Sequence, residues 1–196
     1  MKKSRDNDTK FLFNLYLPKL DGTTTEIDLV MITKKAIFVF ESKNYSGWIF
    51  GDEKNKNWTQ TLPQGKKSHK EYFLNPILQN KLHIKWLKIK LNNENLPIHS
   101  IIVFSERCTL KKINVISPEI HVIKRNNIAS IINQISVTYG EKITQIEINS
   151  MYDELYPHTQ VGQEIRDKHV QNIESRTNSD LESYSVKEDI GEKQIC

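Results

Sequence analysis

Glu26-Ile27-Asp28-Leu29-Val30-Met31-Ile32-Thr33-Lys34-Lys35-Ala36-Ile37-Phe38-Val39-Phe40-Glu41-Ser42-Lys43 consists of two apolar runs joined by a short polar break, each with an acid near its far end. Enrichment in Ile, Val and Phe around a polar bend predicts a β-hairpin. With Lys34 and Lys35 as a two-residue loop, Thr33 falls opposite Ala36, Val30 opposite Val39 and Asp28 opposite Glu41. Side chains alternate along a strand, so Asp28, Val30, Ile32, Ile37, Val39, Glu41 and Lys43 share one face and Ile27, Leu29, Met31, Phe38, Phe40 and Ser42 the other. Both faces are largely apolar, which predicts a sheet covered on both sides.

Two carboxylates facing each other across a ladder repel. A divalent cation relieves that repulsion, and converging hard oxygen ligands suit Mg²⁺, which typically takes only one or two protein carboxylates. Lys43 places an ammonium on the same face, two residues beyond Glu41. A metal, a water it activates and a positive charge beside a phosphate are the parts that phosphodiester hydrolysis needs. Taken alone, an acid followed thirteen residues later by Glu-x-Lys also describes a strand end meeting solvent.

The surrounding series is more specific. Gly22 to Asp28, then Ala36 to Gly51 (Ala-Ile-Phe-Val-Phe-Glu-Ser-Lys-Asn-Tyr-Ser-Gly-Trp-Ile-Phe-Gly), then Trp58, then Phe73-Leu74-Asn75-Pro76-Ile77-Leu78-Gln79-Asn80-Lys81-Leu82-His83 resembles the nuclease-related domain (NERD) family, over roughly residues 11 to 105. That family is grouped with the PD-(D/E)xK, or restriction-endonuclease-like, nucleases. The resemblance implies an α/β fold with a mixed, mainly antiparallel central sheet flanked by helices. It also implies a Mg²⁺- or Mn²⁺-dependent nuclease acting on DNA. Asp28 and Glu41 would hold the metal with the Ser42 carbonyl as a further ligand, Lys43 would orient the attacking water or stabilise charge on the phosphate, and Gln79 would be an accessory polar residue on a facing helix. Members of the family usually begin with a helix bearing a Gly-x-x-Gly-Glu segment, whose Glu completes the acidic cluster. Met1 to Lys10 is polar and too short for it. Either the chain is truncated, or another chain or a second copy supplies the piece, or the site is incomplete. The rival expectation is a non-catalytic DNA-binding or partner-interaction module that keeps the fold.

The chain has 196 residues, 37% hydrophobic and 27% charged, enough for one sizeable core. The expected division is 1–157 as the nuclease-related domain and 158–196 as a polar, acidic tail with a possible short helix. No apolar run reaches the eighteen or so residues of a membrane span and no signal-peptide core follows Lys2-Lys3, so no membrane association and a cytoplasmic location are expected. Cys108 and Cys196 are too few for a disulfide framework or a zinc site. The formal charge is +4, and because the tail carries five Lys/Arg against eight Asp/Glu the body is +7, as a nucleic-acid partner requires.

In order, Phe11 to Leu17 reads as a strand pairing with the Ile27 strand, and Trp48-Ile49-Phe50 and Trp58 to Leu62 as strands extending an antiparallel meander, with both tryptophans packing at the sheet edge. Residues 52–72 read as a basic loop, making Lys66, Lys67 and Lys70 candidate DNA-backbone contacts. Asn75-Pro76 is a helix start. On that helix Lys81 and Lys85 are further candidate contacts, and Gln79 and His83 share a face, with His83 expected as a structural partner. Ser100 to Ser105 reads as a central buried strand, Ile113 to Ile116 and Ile120 to Ile123 as short strands, Ile128 to Ile135 and Ile143 to Leu155 as helices. Val161 to Ile173 reads as one more polar helix, and Glu174 to Cys196 as disordered.

Overall fold

The computed structural model describes residues 9–64, 67–172 and 175. The expectations for Met1 to Asp8, Lys66, Ile173 to Glu174 and most of the tail, Cys196 included, lie outside the described residues.

The hairpin forms in the register expected with Lys34 and Lys35 as its loop. Strands β1 (Lys10–Pro18), β2 (Thr24–Ile32) and β3 (Ile37–Lys43) run antiparallel, with Ile32 opposite Ile37, Val30 opposite Val39 and Leu29 opposite Phe40. Lys34-Lys35 does not adopt the positive-φ turn favoured by tight hairpins, since the non-glycine residues with positive φ are Asn14 and Asn92. Thr33 ties the turn instead: its Oγ1 accepts from the amides of Lys35 and Ala36 and donates to the Ala36 carbonyl.

Nine strands divide between two sheets among the described residues, a mixed α/β architecture. The first has the order β1-β2-β3-β7-β9, where β7 (Ile98–Phe104) and β9 (Ile120–Lys124) continue it in parallel. The second has the order β6-β5-β4-β8, from β4 (Gly47–Asp52), β5 (Asn57–Gln64), β6 (Lys67–Leu74) and β8 (Cys108–Asn114). The meander expected after Lys43 therefore leaves the first sheet and starts another. The expected loop over 52–72 is largely the β5–β6 hairpin. It escapes a pattern reading because Lys67 to Tyr72 is exposed on an edge strand, where no buried face imposes apolar alternation.

Both faces of the first sheet are covered. Helix α2 (Ile128–Thr138) packs Ile135 against Phe38, Phe40, Ile101 and Val103. On the opposite face, α1 (Pro76–Lys90) and α3 (Gln145–Leu155) bring Leu87, Ile148 and Leu155 onto Val30, Ile32, Ile37 and Val39. The second sheet closes the rest of that face, with Trp58 stacked on Phe104 at 6.1 Å and 4°. Gly51 permits this, because a Cβ there would lie 2.2 Å from the Trp58 ring. Cys108 is buried, and burial raises its thiol pKa. Trp48, expected to pack, is 41% exposed.

Helix α1 starts where the sequence requires. Asn75 caps it by accepting from the Ile77 amide, Pro76 occupies the first turn, and the fully buried Asn75 Nδ2 donates to the carbonyls of Asp52, Glu53 and Asn55. One turn later Asn80 Nδ2 donates to the Val39 carbonyl (2.9 Å) and Ser100 Oγ (2.8 Å), fixing the helix over β3 and β7. Residues 163–172 form a further helix, α4, whose His169 is buried.

Candidate active site on the hairpin and helix α1

Carrying the β2–β3 register one residue past Leu29–Phe40 sets Asp28 opposite Glu41, on the face that α1 covers. Asp28 is half-buried and its Oδ2 accepts from the Ser42 amide at 2.7 Å. Glu41 is 3% exposed, and both its oxygens are engaged. Oε1 meets Lys43 Nζ at 2.6 Å and Oε2 meets His83 Nε2 at 3.1 Å. Lys43 Nζ also donates to Gln79 Oε1 at 2.9 Å. His83 Nδ1 lies 2.7 Å from Thr25 Oγ1 on β2. An ionised carboxylate only accepts, so His83 Nε2 carries a proton toward Glu41.

Thus Asp28, Glu41, Lys43 and Gln79 meet at one place, with Ser42 contributing its amide to Asp28. His83, expected as structural, is a direct partner of Glu41. The sequence signal for it was its position four residues after Gln79 on one helix face. What the spacing could not supply was the partner, which lies 42 residues away in the chain.

The two acids are held differently. Burial and the neighbouring Glu41 charge raise the Asp28 pKa, opposed by the Ser42 amide and Lys43. Burial also pushes Glu41 upward, but the His83 hydrogen bond and the Lys43 ammonium outweigh it and hold Glu41 below its usual value. Glu41 thus stays ionised between Lys43 and His83, while Asp28, half-buried and facing that charge, is harder to ionise than an ordinary aspartate.

Asp28, Gln79 and His83 line a cleft of about 380 Å³ together with Glu26, Leu74 and Trp86. Helix α4 borders it through His169, which lies 2.9 Å from Thr24 Oγ1 and 3.7 Å from Glu26 Oε2. Burial, and after it the hydrogen bond and charge of Glu26, raise the pKa of Tyr16 to about 12. The residues that can hold a divalent cation here are Asp28 and Glu41. Among the described residues no group of three or more His, Cys, Asp or Glu is arranged as a metal site.

The lysines singled out in the sequence are dispersed. Lys67 and Lys70 are exposed on β6. Lys81 pairs at 3.0 Å with Glu53, a buried acid that also accepts from the Ile116 and Ser117 amides and the Ser117 hydroxyl. These bonds lower the Glu53 pKa to about 2, the Ser117 hydroxyl contributing most. Lys85 is exposed on α1, its Nζ 5.9 Å from the Trp86 ring.

The model of the nuclease-related domain family matches residues 1–105, more than half of the chain and a span holding every residue of this constellation. The chain belongs to the nuclease-related domain family. A nuclease-related domain thus supplies β1 to β7 and α1, while α2 to α4 lie beyond the matched span. The chain is also 35% identical over 155 residues, covering 79% of itself and 69% of its relative, to an uncharacterized protein of Bacillus anthracis. No solved structure matches it. No helix among the described residues of this nuclease-related domain protein is long and apolar enough to cross a membrane.

Proposed function

We propose that this protein is a divalent-metal-dependent nuclease that hydrolyses DNA phosphodiester bonds at the Asp28–Glu41–Lys43 cluster. The observation that carries the reading is the Lys43 ammonium, bound both to Glu41 and to Gln79, which lines the same cleft as Asp28. Two facing carboxylates are a hard-oxygen donor set of the kind Mg²⁺ and Mn²⁺ take, and burial together with the facing Glu41 charge raises the Asp28 pKa. Asp28, Glu41 and the Ser42 carbonyl would hold the ion. When bound, it would lower the pKa of a coordinated water and neutralise phosphate charge.

The chain's own groups do the rest. The Lys43 ammonium stabilises negative charge growing on the phosphate oxygens. Gln79 fixes that ammonium in place, so little reorganisation is needed as charge develops. His83, anchored by Thr25, keeps Glu41 ionised and in a single orientation.

A second reading is a binding module without hydrolysis, favoured by the full engagement of both Glu41 oxygens by Lys43 and His83. Incubation with supercoiled plasmid in Mg²⁺ or Mn²⁺, with an EDTA control, separates the two. The nuclease reading expects metal-dependent nicking that Asp28→Ala abolishes and Lys43→Ala lowers by about a hundredfold or more. Cleavage that persists in both variants, or salt-sensitive binding with no cleavage, overturns it.

A further inference from the structure

The outer face of the second sheet carries aromatic and basic side chains together. The β4–β5–β6 register sets Trp48 beside Thr61 and Lys70, and Phe50 beside Thr59 and Tyr72. The intervening Ile49, Trp58 and Gln60 point inward and are buried. The outward row therefore mixes aromatic rings with threonine and lysine, and its rings reach water: Trp48 is 41% exposed and Tyr72 73%. Lys111 Nζ lies 5.1 Å over the Trp48 ring, and Lys112 stands opposite Phe50 in the β8 register.

Two shallow grooves, of about 340 and 290 Å³, flank Phe50 and Thr59 and extend toward Lys70 on one side and Lys112 on the other. Asp52 is the acid lining them, and its oxygens are already taken up by Asn114 Nδ2 and the Lys54 amide. Lys70, Tyr72 and Leu74 point the same way along β6, and Leu74 lines the cleft that holds Asp28, so this face leads into the candidate active site.

We propose that this face binds single-stranded nucleic acid, with bases stacked on Trp48 and Tyr72 and phosphates held by Lys70, Lys111 and Lys112. A duplex would use the lysines but hides the flat faces of its bases, leaving the rings unused. An apolar protein partner would cover the rings but desolvate three ammonium groups. An unpaired strand offers both a stackable ring and a phosphate at each nucleotide. The site stands apart from hydrolysis, since it needs neither the metal nor the two carboxylates.

Binding of labelled oligothymidylate, oligouridylate and a duplex, each about twelve nucleotides long, is measured by anisotropy in EDTA, so that no cleavage enters. Both single strands bind through the shared base and phosphate chemistry, and any preference between them identifies DNA or RNA as the occupant. Trp48→Ala and Tyr72→Ala, with folding checked by circular dichroism, each weaken single-strand binding about tenfold or more and change duplex binding little. Three phosphate contacts give a log–log salt slope of about −2. Trp48→Phe keeps most of the affinity but loses the fluorescence quenching of the exposed indole. Absence of single-strand binding, equal losses on duplex, or a dimer that Trp48→Ala dissociates overturns the proposal. Plasmid nicking does not enter this outcome, so the two readings fail separately.

Discussion

Replacing Asp28 by asparagine makes the metal-free protein more stable. Asparagine keeps an oxygen to accept from the Ser42 amide and removes a charge that burial and Glu41 both oppose. At the roughly 5 Å spacing of facing cross-strand residues and an effective dielectric of about 20, the repulsion is about 3 kcal/mol. Partial solvent exposure and the nearby Lys43 offset part of it, leaving about 1–2 kcal/mol. For a chain of this length that is a rise in Tm of about 2–8 °C. The sign follows from linkage: a carboxylate whose folded pKa is raised contributes stability that is present below its unfolded value and is lost as pH climbs through the folded one. The advantage of Asp28→Asn is therefore larger at pH 7 than at pH 4. Scanning calorimetry in EDTA at both pH values measures it. Millimolar Mg²⁺ then raises the Tm of the wild-type protein and leaves that of Asp28→Asn unmoved, because binding to the folded state alone stabilises it. A variant that melts below wild type in EDTA at pH 7 refutes the reasoning, since Asp28 would then be a net support of the hairpin.

Lys43→Ala lowers plasmid nicking by about a hundredfold or more, and because it leaves Glu41 buried with one partner fewer it also costs about 1–3 kcal/mol in urea melts. Glu53, with its pKa lowered to about 2, contributes stability that is complete above its ordinary value near 4.5 and is lost as pH falls toward about 2; Glu53→Gln flattens the acid limb of the stability curve over that window. Asn75→Ala removes the α1 cap and leaves three carbonyls of the 52–55 turn without their donor, a loss of about 2–4 kcal/mol by chemical denaturation.

Much of the site was legible because its signals are local. The two-residue period of a strand fixes which of Asp28, Val30, Val39 and Glu41 share a face once the turn at Lys34-Lys35 is placed. The cap at Asn75-Pro76 likewise follows from the chemistry of two adjacent residues. Lys81 shows the opposite case: its place on a basic helix face suggested a phosphate contact, whereas a buried acid 28 residues away takes its charge.

By itself the sequence determined the two strands of the hairpin, the alternation along each of them and the start of the helix above the acids, since each depends on neighbours in the chain or on a single period; the register, and with it the common face of Asp28 and Glu41, followed only once a two-residue loop at Lys34-Lys35 was assumed. Only the tertiary structure decided the division of nine strands into two sheets, the clasp of His83 on Glu41 and Thr25, the bridge from Lys43 to Gln79 and the docking of His169 beside the cleft. Those contacts join residues 36 to 145 positions apart, and a pattern read along the chain carries no record of which distant surfaces will exclude water together.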